Sequence, residues 1–93
     1  MELKIFRYPM PPEQDIVELE LPRGAKVLTF QTKNNLPNIW CLVDPDAPKE
    51  IRRFRYAGTG HPIEDVEMEY IGTCQSVENM ITLVWHLFEI KGE

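Results

Sequence analysis

DIVELEL, residues 15–21, alternates strictly: Val17, Leu19 and Leu21 fall on one side of an extended chain, and Glu18 and Glu20 on the other. Side chains change face at every residue only in a β-strand, so the pattern predicts a strand with one buried face. LPRG follows, with Pro22 suited to the second position of a β-turn and Gly24 to the fourth. KVLTFQTK, residues 26–33, resumes the alternation and places Leu28 and Phe30 opposite Val27, Thr29 and Gln31. After the turn cluster NNLPN, the run IWCLV is apolar throughout, as a central strand is. DPDAPK, with Asp44 and Asp46 flanking Pro45, reads as a surface turn.

The same period continues to the end of the chain. IRRFRYA sets Phe54 and Tyr56 on one face and Arg53 and Arg55 on the other. VEMEYIG sets Val66, Met68 and Tyr70 against Glu67 and Glu69. KIFRY near the start is a shorter strand closed by Pro9, Pro11 and Pro12. ITLVWHLFEI, residues 81–90, has the β-branched and aromatic content of a strand, and a length that also suits a short helix. The expectation is a mostly β, single small domain over residues 1–93: an antiparallel sheet of six or seven strands, curled into a barrel or sandwich.

Bulk properties narrow the function. The chain has 93 residues, so a large enclosed catalytic cavity would be costly. A net charge of −5 opposes general nucleic-acid binding, which needs a basic surface. Residues 61–93 carry seven carboxylates against Lys91, whereas 49–55 carry four cations against Glu50. No apolar run is long enough to span a membrane, and the start has no signal-peptide pattern, so a cytoplasmic location is expected. Two cysteines, Cys41 and Cys74, sit in apolar contexts and are expected to be reduced and buried.

The basic segment RRFRYAGTGHPI, residues 52–63, admits two readings. In the first it is a strand and its turn. Residues 50–57 and 66–72 would pair as a hairpin, with Arg53 and Arg55 beside Glu67 and Glu69 on its outer face. In the second, Arg53 and Arg55 grip an anion together with the amides of Thr59, Gly60 and His61, in a loop whose glycines, Gly58 and Gly60, flank Thr59. The loop lacks the third glycine and following helix of a dinucleotide fingerprint, and the Gly-Lys-Ser/Thr ending of a phosphate loop. Catalytic groups are sparse. Ser76 is the only serine, and Cys41, His61, Cys74 and His86 are not paired at zinc-ligand spacing. His86 in VWHLF reads as a satisfied sheet histidine. These residues predict a binding protein with no catalytic residue, no cofactor and no metal.

At LPRGAKVLTFQ, IWCLVDPDAP, FRYAGTGHPI, YIGTCQ and VWHLFE the chain resembles a family of short uncharacterised proteins of bacteriophages and prophages. The resemblance runs in order from about residue 3 to 89. It implies a genomic setting and no catalytic residue. In that setting the expected role is an accessory protein that binds a host component, of antiviral defence for example, and so inhibits or modulates it. The alternative is sequestration of a nucleotide or other phosphorylated small molecule; a small phosphate-directed enzyme ranks below both. Edge management in a small β domain further predicts self-association, as a dimer.

Overall fold

The computed structural model describes residues 2–91, and among these it contains seven strands and no helix. They are β1 (Lys4–Pro9), β2 (Ile16–Pro22), β3 (Lys26–Lys33), β4 (Leu36–Val43), β5 (Lys49–Gly58), β6 (Met68–Glu78) and β7 (Ile81–Ile90). All pairings are antiparallel and build two sheets: sheet I in the order β1-β4-β3, and sheet II in the order β2-β5-β7-β6. The sheets stack as a sandwich and do not close into a barrel. Residues 81–90 are a strand, and the apolar run IWCLV is the centre of sheet I.

Alternation determines the core. Leu21 from β2, Phe30 from β3, Ile39, Cys41 and Val43 from β4, Phe54 and Tyr56 from β5, and Leu87 from β7 are buried between the sheets. Tyr56 stacks edge-on against Phe30 of sheet I and Trp85 of sheet II, and its hydroxyl donates to the Met10 carbonyl. The two hairpins turn on residues that tolerate positive φ, Asn34 and Asn35 between β3 and β4, and Asn79 with Met80 between β6 and β7. The turn after β2 lies one residue later than LPRG: the Ala25 amide donates to the Pro22 carbonyl at 3.1 Å, which puts Gly24 (φ +83°) at the third position, where a left-handed residue is needed.

Two expectations about facing are corrected. A bulge between Val27 and Thr29 shifts the register of β3 on β4, so Val27 and Phe30 both turn to the core and Leu28 turns out. A second irregularity between Tyr70 and Gly72 lies in β6; Tyr70 is 55% exposed and stacks on Phe88 on the outer face of sheet II. An extra residue changes the parity of everything beyond it, which strict alternation cannot anticipate.

The larger correction concerns the hairpin. β5 does not pair with β6; it lies between β2 and β7, and β7 separates it from β6. Residues 59–67 therefore form a crossover from β5 to β6 past β7. Arg53 sits opposite Glu18 of β2 and not opposite Glu67 or Glu69. Glu69 lies opposite Glu89, next to Lys91 (3.6 Å). The Glu67 carbonyl accepts from the Lys91 amide at 2.9 Å. The physical reason is the long β6–β7 hairpin: its ten register pairs from Met68↔Ile90 to Glu78↔Ile81 give β6 a local partner, leaving β5 to pair with the other edge of β7.

Candidate functional site

Arg53 and Arg55 are two residues apart on β5 and share the outer face of sheet II. Both line a groove of about 470 Å³. Asp15 and Ile16 at the start of β2 form one part of its wall, Glu64 and Val66 of the crossover another, and Met68 and Ile90 complete it.

The two arginines are differently engaged. Arg55 is 7% exposed at its side chain and acts as a bolt under the crossover. Its Nε donates to Glu64 Oε1 at 2.8 Å and its Nη2 to Glu64 Oε2 at 3.2 Å, a bidentate pair. Nη2 also reaches the Pro62 carbonyl at 3.2 Å, and Nη1 donates to the Tyr56 carbonyl and lies 4.0 Å from Asp15. The hydrogen bonds from Arg55 hold the Glu64 carboxyl below its ordinary value. Arg53 is half-buried and lies 3.5 Å from Glu18 Oε2 across the β2–β5 ladder.

The four other residues singled out in the sequence form the turn at the end of β5. His61 N donates to the Gly58 carbonyl at 3.1 Å, and Gly60 (φ +87°) supplies the left-handed turn residue. Gly58 has a different reason to be glycine. A Cβ there would stand 2.9 Å from two atoms of the His61 ring, so the missing side chain lets the imidazole pack down on the strand. Thr59 Oγ1 is 2.7 Å from His86 Nε2. Gly58 and His61 line a neighbouring hollow of about 480 Å³ together with Arg55 and Trp85, and Arg53 is not part of it. Arg55 is thus a partition between groove and hollow. The structure brings Arg53 and Arg55 together, and Gly58 and His61 together, but divides the two sets between adjacent depressions.

Sequence reading missed two arrangements. The first is a chain of hydrogen bonds on the outer face: Thr59 to His86 Nε2, His86 Nδ1 to Thr73 Oγ1 at 2.9 Å, and Thr73 to the Tyr70 hydroxyl. Both ring nitrogens of His86 are engaged, as a satisfied sheet histidine requires. The second is a buried ion pair between the sheets. Arg52 Nε and Nη2 donate to Glu89 at 2.6 and 2.9 Å, and Nη1 donates to the Ala25 carbonyl at 2.5 Å. Burial alone would raise the Glu89 pKa, but Arg52 and Lys91 outweigh it and hold the carboxyl below its ordinary value. A signal for this pair was present: Arg52 is in phase with Phe54 and Tyr56, and Glu89 with Leu87. Glu64 gave none, because the path of a crossover is not periodic.

Both cysteines are free and buried. Burial pushes the thiols of Cys41 and Cys74 up to about 11, so neither is an activated nucleophile at neutral pH.

No curated protein and no solved structure matches the chain. A family model does match, over residues 1–93, and the chain belongs to that family, described as a domain of unknown function (DUF7352).

Proposed function

We propose that this member of a family of unknown function is a small, non-enzymatic binding protein of phage type, acting in the cytoplasm of a bacterial host. It docks a host protein on the outer face of sheet II and so inhibits or modulates it. The observation that carries this reading is the composition of the groove: four apolar side chains, Ile16, Val66, Met68 and Ile90, line an open depression in which Arg55 is already bonded to Glu64. Accessible apolar surface framed by polar groups is what a protein interface offers. The phage setting is supported by the sequence motifs at residues 21–31, 39–48, 54–63, 70–75 and 84–89. Association into a homodimer is part of the same reading, supported by the separate edges that β1 and β2 present on the two sheets.

Nucleotide sequestration remains the second reading, because Arg53 and Arg55 line one groove. One experiment separates the two. Tagged protein is used to capture partners from bacterial lysate, beside variants Val66→Asp in the groove and Glu78→Lys at the far end of β6. The expected result is a discrete protein captured by the wild type and by Glu78→Lys and lost with Val66→Asp. A thermal-shift screen with linear and cyclic nucleotides is expected to show no stabilisation. A nucleotide that raises the melting temperature, with the rise abolished by Arg53→Ala, would overturn the protein-docking reading.

A further inference from the structure

The basic look of the RRFRY segment suggests an anionic ligand, yet the accessible charge of the groove has the opposite sign. Arg55, its side chain 7% exposed, turns its donors onto Glu64 and backbone carbonyls. Arg53, 36% exposed, lies against Glu18. The carboxylates facing these two arginines are far more open to water, Asp15 at 88% and Glu18 and Glu64 at 61% each. Asp65 and Glu67, the chain neighbours of Val66 on the crossover, are exposed as well. The guanidiniums act as internal counterions, and the charged groups of the groove's lining most open to water are the carboxylates of Asp15 and Glu64, beside the apolar side chains of Ile16, Val66, Met68 and Ile90.

We infer that the occupant of the groove is a cationic segment of another protein, with lysine or arginine flanking an apolar side chain that enters between Ile16 and Val66. This inference rests on the docking reading above and names the partner's chemistry. Complementary charge steers such a segment to the rim and excludes acidic or phosphorylated competitors, while burial of the apolar side chain supplies affinity. The arrangement also makes sense of the crossover. Arg55 holds Glu64 in place, and Glu64 in turn positions the chain that carries Val66 and Asp65.

The test is fluorescence anisotropy with two labelled peptides: one of lysine and arginine alternating with valine and leucine, the other with glutamate at every basic position. The cationic peptide is expected to bind at least about tenfold more tightly than the acidic one, and to weaken as salt rises from about 0.05 to about 0.5 M. Asp15→Lys with Asp65→Lys is expected to weaken it about tenfold, and Val66→Ser several-fold. Glu78→Lys changes the net charge in the same direction about 30 Å away along the hairpin, and is expected to leave binding unchanged. Circular dichroism establishes that each variant is folded. Equal weakening by Glu78→Lys reduces the effect to bulk charge and overturns the inference. Preference for the acidic peptide, weakened by Val66→Ser, overturns the inference while leaving the groove as a docking site. Failure of the cationic peptide to bind also overturns it, and the capture experiment then decides the docking reading separately.

Discussion

Arg55 illustrates how a residue's surroundings decide its role. On an isolated strand it would be a free cation; here Glu64, Pro62 and Tyr56 take its hydrogen bonds. Replacing it by glutamate puts a third carboxylate beside Glu64 and Asp15 and removes the bolt from the crossover. The expected outcome is a lower melting temperature and new protease cleavage within residues 59–67, with β-sheet circular dichroism retained below the transition. Loss of nucleotide binding without any change in cleavage would contradict the structural role. Glu89 gives a pH prediction. Its folded pKa lies below the ordinary 4.5, so the charged form stabilises the fold above that pH, and this contribution is lost as pH falls through the lowered value. Glu89→Gln leaves the Arg52 charge buried without its counterion and is expected to cost about 3 kcal/mol at neutral pH. The variant's urea midpoint should then depend less on pH below about 4.5 than the wild type's.

At the scale of the elements, the β3–β4 hairpin secures the protruding end of β6. Asn35, itself at φ +65°, donates from Nδ2 to the Val77 carbonyl at 2.6 Å and accepts from the Val77 amide at 2.7 Å. Its side-chain amide thereby satisfies an edge that would otherwise be open. Two substitutions separate turn from clamp. Asn35→Gly keeps the left-handed conformation and loses the two hydrogen bonds, at an expected cost of about 1–2 kcal/mol. Asn35→Ala loses both features and is expected to cost about 1 kcal/mol more. Urea denaturation measures both, and equal midpoints for the two variants would show that the conformation of the turn contributes nothing. The cluster NNLPN marked a turn here in advance, although residues 36–38 belong to β4, whereas the partner strand of the Asn35 side chain lay 42 residues away and carried no local mark.

Across the whole molecule, charge is sorted by sheet. The strands of sheet I carry Lys4, Arg7, Lys26 and Lys33 and no carboxylate. Carboxylates concentrate on sheet II and on the segments 10–15 and 59–67 that flank it. Two copies meeting face to face on sheet I would oppose their cations. Two copies pairing at the β2 edge would bring Glu18 and Glu20 together. The expected dimer therefore joins β1 to β1, where Ile5 and Phe6 are exposed beside only two cations per strand. Light scattering at high protein concentration is expected to return twice the chain mass, reduced toward one by Ile5→Lys. A monomer mass for the wild type at every concentration would remove the idea.

Alternation by itself determined that this is a mostly β domain, where six of its strands run, and that Phe54, Tyr56, Val17 and Leu19 turn inward, because the two faces of a strand are set by local stereochemistry. The turns near Gly24 and Asn34–Asn35 were legible to within a few residues, since positive φ restricts the residue types. Pairing was not. Whether β5 lies beside β6 or β7 depends on competition among edges distant in sequence, and no local pattern encodes its outcome. The two register shifts, at Val27–Thr29 and Tyr70–Gly72, likewise depend on the partner strand. The site follows the pairing. Arg53 and Arg55 were visible as residues, but only the crossover they underlie decided that their charges face Glu18 and Glu64, because a guanidinium's role is set by which carboxylate the fold brings within hydrogen-bonding distance.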